Sequence, residues 1–125
     1  HAREELDALT AVHDDAVTML GDEDVILMGD FNASCNYVRA SHFDDISLRT
    51  DPRFTWHILD SADTTTSATV CAYDRFVTTS GMTSRVADEG AQVFYFDQAY
   101  DLDMRAAKLI SDHYPVEMRI NLTDD

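Results

Sequence analysis

At 125 residues the chain has material for one modest domain, and an apolar share of 45% can supply its core. Its formal net charge of −15, from 24 acidic against 9 basic residues, leaves no basic cluster for a non-specific grip on nucleic acid, so cations must mediate contact with any polyanion. No run approaches the roughly 18 apolar residues of a membrane span, and the N-terminus lacks a basic-then-apolar leader; an exported protein would already have lost it.

Residues 2–20 place Leu6, Leu9, Val12, Ala16 and Met19 or Leu20 at helical spacing, with acids on the other face and Gly21 as the stop. Residues 24–29, DVILMG, form a short and almost wholly apolar run, which predicts a strand covered on both faces. Residues 35–48 read as loop and short helix, 54–59 as a strand after Pro52, and 60–69 as a loop dense in oxygen-bearing side chains. A strand over 72–80, closed by Gly81, comes next, then extended chain over 84–96 with a turn at Asp88-Glu89-Gly90. A helix over 101–110 with an acidic first turn and a last strand over 112–122 complete the series. The order predicts an α/β fold: one mostly antiparallel or mixed sheet with helices on one face, the other face short of cover.

Asp-rich, Lys-poor composition repels itself at low salt. At about 1 M salt the Debye length falls to about 3 Å and that repulsion is screened. The balance fits a salt-adapted protein; the alternative is an ordinary acidic secreted one. Two cysteines, Cys35 and Cys71, allow one disulfide, and their spacing excludes CxxC redox or zinc-ribbon chemistry. A structural disulfide implies an oxidising compartment.

Three short motifs bear chemistry. In Gly29-Asp30-Phe31-Asn32 the alternation of an extended chain puts Asp30 and Asn32 on one side and Phe31 on the other. This is either a strand ending in an Asx turn, or a carboxylate for water or metal beside an amide donor for a phosphoryl oxygen. In Ser111-Asp112-His113, either a surface loop or a metal ligand beside a general acid–base group is formed. In Cys71-Ala72-Tyr73-Asp74-Arg75, Asp74 faces away from Tyr73 and Arg75. It is either half of a surface ion pair or a buried carboxylate in need of a partner such as His113.

VILMGDFNASCNYV, FTWHILDSADTTTSATVCAYDRFV and ISDHYPVEM occur here in that order. Taken together they resemble the pancreatic-type deoxyribonuclease I family, within the endonuclease/exonuclease/phosphatase superfamily. GDFN and SDH are superfamily motifs; DSADTT followed by CAYDR is far more specific and favours the deoxyribonuclease branch over its relatives. The resemblance implies that Asp30 orients or deprotonates the attacking water, that Asn32 contacts the phosphate, and that Asp74 and His113 form a catalytic pair. It implies a catalytic divalent ion, Mg²⁺ or Mn²⁺, with Asp112 as a ligand, and a structural Ca²⁺ in the loop of Asp63, Thr65, Ser67 and Thr69. A carboxylate and hydroxyls at alternate positions do suit a hard oxygen-seeking cation. It further implies a Cys35–Cys71 disulfide, Arg75 and Tyr37 near a DNA groove, and an extracellular, secreted enzyme.

The family's domain is about twice this length, a four-layer α/β/β/α sandwich of two packed sheets with helices outside. Residues 1–125 resemble its C-terminal half as a single incomplete domain, without the half that supplies a glutamate metal ligand, a second His–carboxylate pair and an early asparagine. The partner is then the missing half or a second copy of the chain; an inactive remnant is a third reading. Actin binding is not implied, nor is His1 assigned a role. The rival functions are another superfamily phosphohydrolase, such as an inositol-phosphate phosphatase or a sphingomyelinase, and a non-catalytic calcium-binding or assembly half. Asn32-Ala33-Ser34 and Asn121-Leu122-Thr123 read as glycosylation sequons, the first of them unused because it sits in the proposed site. Trp56 reads as core, and His13, His42 and His57 as surface or satisfied structural residues rather than ligands.

Overall fold

A computed structural model describes residues 1–122. Helix α1, Ala2–Leu20, ends where Gly21 takes φ +66° and returns its N–H to the Val17 carbonyl at 2.9 Å. The helix turns a different stripe inward from the one its apolar residues suggest. Leu6 and His13 are buried, with Ala2 and Leu9 packed beside them, while Val12, Met19 and Leu20 face out. Positions 2, 6, 9 and 13 lie along one helical face, and Val12 is about 100° from His13 around the axis.

Strands β1 (Ile26–Asp30), β2 (Phe54–His57) and β3 (Asp74–Thr79) form an antiparallel sheet in the order β1-β3-β2. The register sets Leu27 and Trp56 on either side of Val77. Those residues, with Phe54 and Phe31, face a layer made of α1, the 3₁₀ turn Ala40–Asp45 and the short helix α2 (Ser47–Thr50). Leu6, Val38, Phe43, Ile46 and Leu48 fill the space between. Trp56 is a core residue as expected, its indole N–H donating to the Leu48 carbonyl at 3.0 Å. Met28, on the opposite face, is 69% exposed, so that face of the sheet is thinly covered.

A second antiparallel pair, β4 (Val86–Val93) with β5 (Val116–Ile120), stands apart, so the predicted single sheet is two. The turn expected at residues 88–90 is a bulge inside β4. Val86 pairs with Ile120 and Ala91 with Met118, leaving four residues opposite Arg119. Gly90 supplies the required φ of +67°, and Glu89 reaches Arg119 at 3.0 Å. Beside this pair, helices α4 (Phe96–Ala99) and α5 (Met104–Ile110) enclose a small core of Phe96, Ala107 and Tyr114. Asp103 caps α5 by accepting the Ala106 N–H at 2.8 Å, so the helix starts later than the predicted 101. Between β3 and β4, residues Ser80–Thr83 form a further short helix, α3, rather than a simple stop at Gly81.

Residues 111–114 are not the start of the last strand. They lie antiparallel to the 63–66 loop through one isolated bridge, Thr65 opposite His113. Thr66 donates from its amide to Asp112 O at 3.0 Å and from its hydroxyl to Ser111 O at 2.9 Å; Tyr114 N donates to Thr64 O at 2.8 Å. This seam joins the two sheets and carries His113 to the rim of the first. Overall the chain is mixed α/β with antiparallel sheets, in the class that its sequence pattern indicates. No helix of the described residues is long and apolar enough to cross a membrane. Thr123, the third residue of the second sequon, lies outside the described residues.

Candidate active site

Strand β1 ends on Asp30 because the pairing register brings it opposite Asp74, the first residue of β3. Residues directly opposite in an antiparallel pair share a face, so both carboxylates stand at one rim on one side of the sheet. One further ladder bond, Phe31 N to Tyr73 O at 2.9 Å, sends Phe31 into the core against Trp56. The chain then leaves the sheet. Asn32 takes φ +48°, and its amide donates to Asp30 Oδ1 at 2.9 Å. The strand therefore ends in an Asx turn that fixes one oxygen of Asp30, while the other faces His113.

His113 arrives across the seam and lies between the two carboxylates. Its Nδ1 is 2.7 Å from Asp74 Oδ2 and its Nε2 is 3.7 Å from Asp30 Oδ2. An ionised carboxylate only accepts, so Nδ1 carries the proton and Nε2 is the atom free to exchange one. Burial alone would lower the imidazole pKa. The hydrogen bond to Asp74 and the charges of Asp74, Asp30 and Asp112 outweigh it, and the net shift is upward. Thr64 organises the start of β3: its hydroxyl accepts from Tyr73 N at 3.0 Å and Asp74 N at 3.3 Å and donates to Cys71 O at 3.2 Å.

Two histidines make stability depend on pH in opposite senses. A raised imidazole stabilises the fold below about pH 6.5, and that contribution is lost as pH rises through the folded value. His57 is shifted down by burial, with its Nε2 2.8 Å from the Thr78 hydroxyl. It therefore penalises the fold as pH falls below about 6.5. Melting temperatures measured from pH 5 to pH 9 should show His113→Gln losing less stability than the parent on the alkaline side. The acid side should flatten only in a His57 variant.

Other expected residues are scattered more widely. Asp112 is exposed; its carboxylate is outside the cluster of Asp30, Asp74 and His113, whose donor atoms lie within 4.8 Å of one another. Arg75 does not line a groove. It is 1% exposed and donates to Ala72 O, Ile58 O, Ala33 O and Asp60, so its guanidinium is committed inside the fold. Tyr37 is exposed and meets Tyr73 edge-on at 5.6 Å, with the Tyr73 ring 6.1 Å from that of His113. Nothing in the sequence marks Tyr73 and Thr64 as site residues beyond their positions beside Asp74 and Asp63. The 63–69 loop closes on itself. Asp63 Oδ1 accepts from Thr65 N at 3.1 Å, and the Thr65 hydroxyl donates to Thr69 O at 3.3 Å and accepts from Ser67 N.

Cys35 and Cys71 form the expected disulfide, with a Cα–Cα distance of 5.8 Å. His13 is buried edge-on against Phe54 with Nδ1 on Asp14, and its Nε2 has no partner among the described residues. His42 accepts the Arg39 amide, a structural role as expected.

Residues 2–113 match the Endonuclease/Exonuclease/phosphatase family. The chain belongs to that family. Among curated members it is 50% identical to deoxyribonuclease-1 of Canis lupus familiaris over 117 residues, which is 93% of the chain and 41% of the relative. It is 52% identical to deoxyribonuclease-1 of Homo sapiens over 118 residues, 93% of the chain and 42% of the relative. With that of Rattus norvegicus it shares 46% identity over 123 residues, 98% of the chain and 43% of the relative. The chain thus spans about two-fifths of the length of these family members.

Proposed function

We propose that this chain is the part of a DNA-hydrolysing endonuclease that carries its proton-transferring histidine and one wall of the phosphate site. The observation that supports this most is the imidazole of His113 held between Asp74 and Asp30. In that role His113 Nε2 exchanges the proton of the attacking water or of the leaving sugar oxygen, and Asp74 keeps the ring in one tautomer. Asp30 orients the water, Asn32 donates to a phosphoryl oxygen, and Tyr37 and Tyr73 offer aromatic edges beside the scissile group.

The donor set suits a divalent ion without giving it the His–Asp pair. Asp74 and His113 spend their facing atoms on one another. Asp30, at the rim, would offer its carboxylate to Mg²⁺ or Mn²⁺, with the remaining ligands from outside this chain. Asp112, exposed and outside that cluster, would be a further ligand only if its side chain turns toward the rim. Bound there, the ion would neutralise phosphoryl charge and let a chain of net charge −15 approach DNA. In the 63–69 loop Asp63, Thr65, Ser67 and Thr69 would supply oxygens to a structural Ca²⁺ in place of the Asp63–Thr65 and Thr65–Thr69 bonds that now close it. The disulfide suits an extracellular setting, and the acid excess suits one of high salt.

A protein carrying this chain together with the part of the relatives' length that it does not span should nick supercoiled plasmid in Mg²⁺. Excess EDTA should abolish nicking. Nicking untouched by chelation, or release of phosphate from a small phosphomonoester in place of nicking, overturns the proposal.

A further inference from the structure

Three carbonyl oxygens and one carboxylate converge on a single buried side chain next to the site. Arg75 Nε donates to Ala72 O at 2.8 Å, Nη1 to Ile58 O at 2.9 Å and Asp60 Oδ1 at 2.7 Å, and Nη2 to Ala33 O at 3.1 Å. The guanidinium carbon lies 5.5 Å from the Trp56 ring centroid. These acceptors come from three separate stretches of chain: the turn after Asp30, the exit of β2, and the approach to β3.

Two of those stretches hold backbone that an L residue rarely adopts. Ile58 has φ +67° and Asn32, next to Ala33, has φ +48°. Asparagine tolerates that region, whereas a β-branched side chain there is a genuine outlier. Such strain persists only where the surroundings over-determine it. A hydrogen bond from Arg75 to the Ile58 carbonyl is such a constraint. A buried charged residue is also weak evidence for stability, since apolar replacements of similar volume are often neutral or stabilising. What an arginine adds is a rigid planar fork that fixes several acceptors in relative position, which neither methionine nor lysine reproduces.

We propose that Arg75 is a positioning residue: a buried clamp that sets the Asp30–Asn32 turn against Asp74 and so holds the His113 imidazole between its two carboxylates. This rests on the reading of that trio as the reacting site. Asp60 anchors the clamp from outside, shared with Arg49, which it meets at 2.6 Å.

The test uses the 125-residue chain and a readout that does not depend on catalysis. In the parent, the His113 Nδ1–H bonded to Asp74 should give a downfield ring-proton signal in NMR spectra. In Arg75→Lys and Arg75→Met, that signal should be lost under conditions where amide dispersion shows the variant still folded. Asp60→Asn, which leaves the three carbonyl bonds in place, should keep it. Retention of the parent signal in a folded Arg75 variant overturns the clamp. So does unfolding of both Arg75 variants with Asp60→Asn folded, because Arg75 would then be a determinant of the fold alone. Nicking by the same variants in the longer protein is measured in parallel. If the signal is lost but nicking is undiminished, the clamp stands and the catalytic reading of the trio falls.

Discussion

In the longer protein proposed above, replacing His113 by alanine is expected to slow DNA nicking by about 10²–10⁴-fold, the range for removing a positioned general acid–base group. The effect should be in kcat as much as in kcat/KM, because the imidazole acts on a proton in flight rather than on the bound ground state. Geometry makes the expectation specific. Only Nε2 is free, since Nδ1 is tied to Asp74 at 2.7 Å. Asp74→Asn should therefore be nearly as harmful, although it is almost isosteric. It removes the first of the attractions that hold the imidazole pKa up, so the limb of the pH–rate profile governed by this group should move toward acid. Measuring rate against pH for both variants, with circular dichroism to show that they fold, decides the matter. A rate within a few-fold of the parent for folded His113→Ala removes the assignment.

Opening the Cys35–Cys71 bridge is expected to cost about 4 kcal/mol of stability. The bond closes a loop of sequence separation 36, and the chain-entropy relation gives that order for such a loop. That is a large part of the roughly 5–15 kcal/mol on which small domains survive. Urea titrations of the parent with and without reductant, and of the Cys35→Ala, Cys71→Ala double variant, measure it. The loss should fall first on the site, because Cys35 follows the Asp30–Asn32 turn and Cys71 precedes Asp74. Equal midpoints with and without reductant would show that the bridge adds nothing to stability.

Sequence reasoning reads the rim of the first sheet well and the rest of the fold less well, for physical reasons. Asp30, Asp74 and His113 converge as expected because short-range rules decide two of them. An apolar run must end on its polar residue, and an Asp beside a buried strand needs a partner. Two sheets in place of one depend on what residues 111–114 pair with, which no local pattern encodes. The β4 bulge and the expected turn use the same Gly90; only the continuation of pairing beyond it separates them. Arg75 could have been a groove contact, since alternation gives it a side of the strand but not whether that side is covered. His13 in place of Val12 reflects a rotation of α1 by about one residue, small against the breadth of its apolar face. Thr64 and Tyr73 act through backbone amides and ring faces, properties that a list of residue types does not display.

The seam between the two sheets has a consequence for how the molecule fails. Asp74 is rooted in the larger core, whereas His113 belongs to the segment leading into Tyr114, which anchors the smaller one. The pair is thus a contact across that seam, kept in register by a handful of bonds to residues 64–66. Sub-global opening along that line is expected at lower free energy than global unfolding, which hydrogen exchange of the amides at residues 64–66 and 111–114 would measure. The juxtaposition of Asp30, Asp74 and His113 should then be lost while most of the secondary structure is intact.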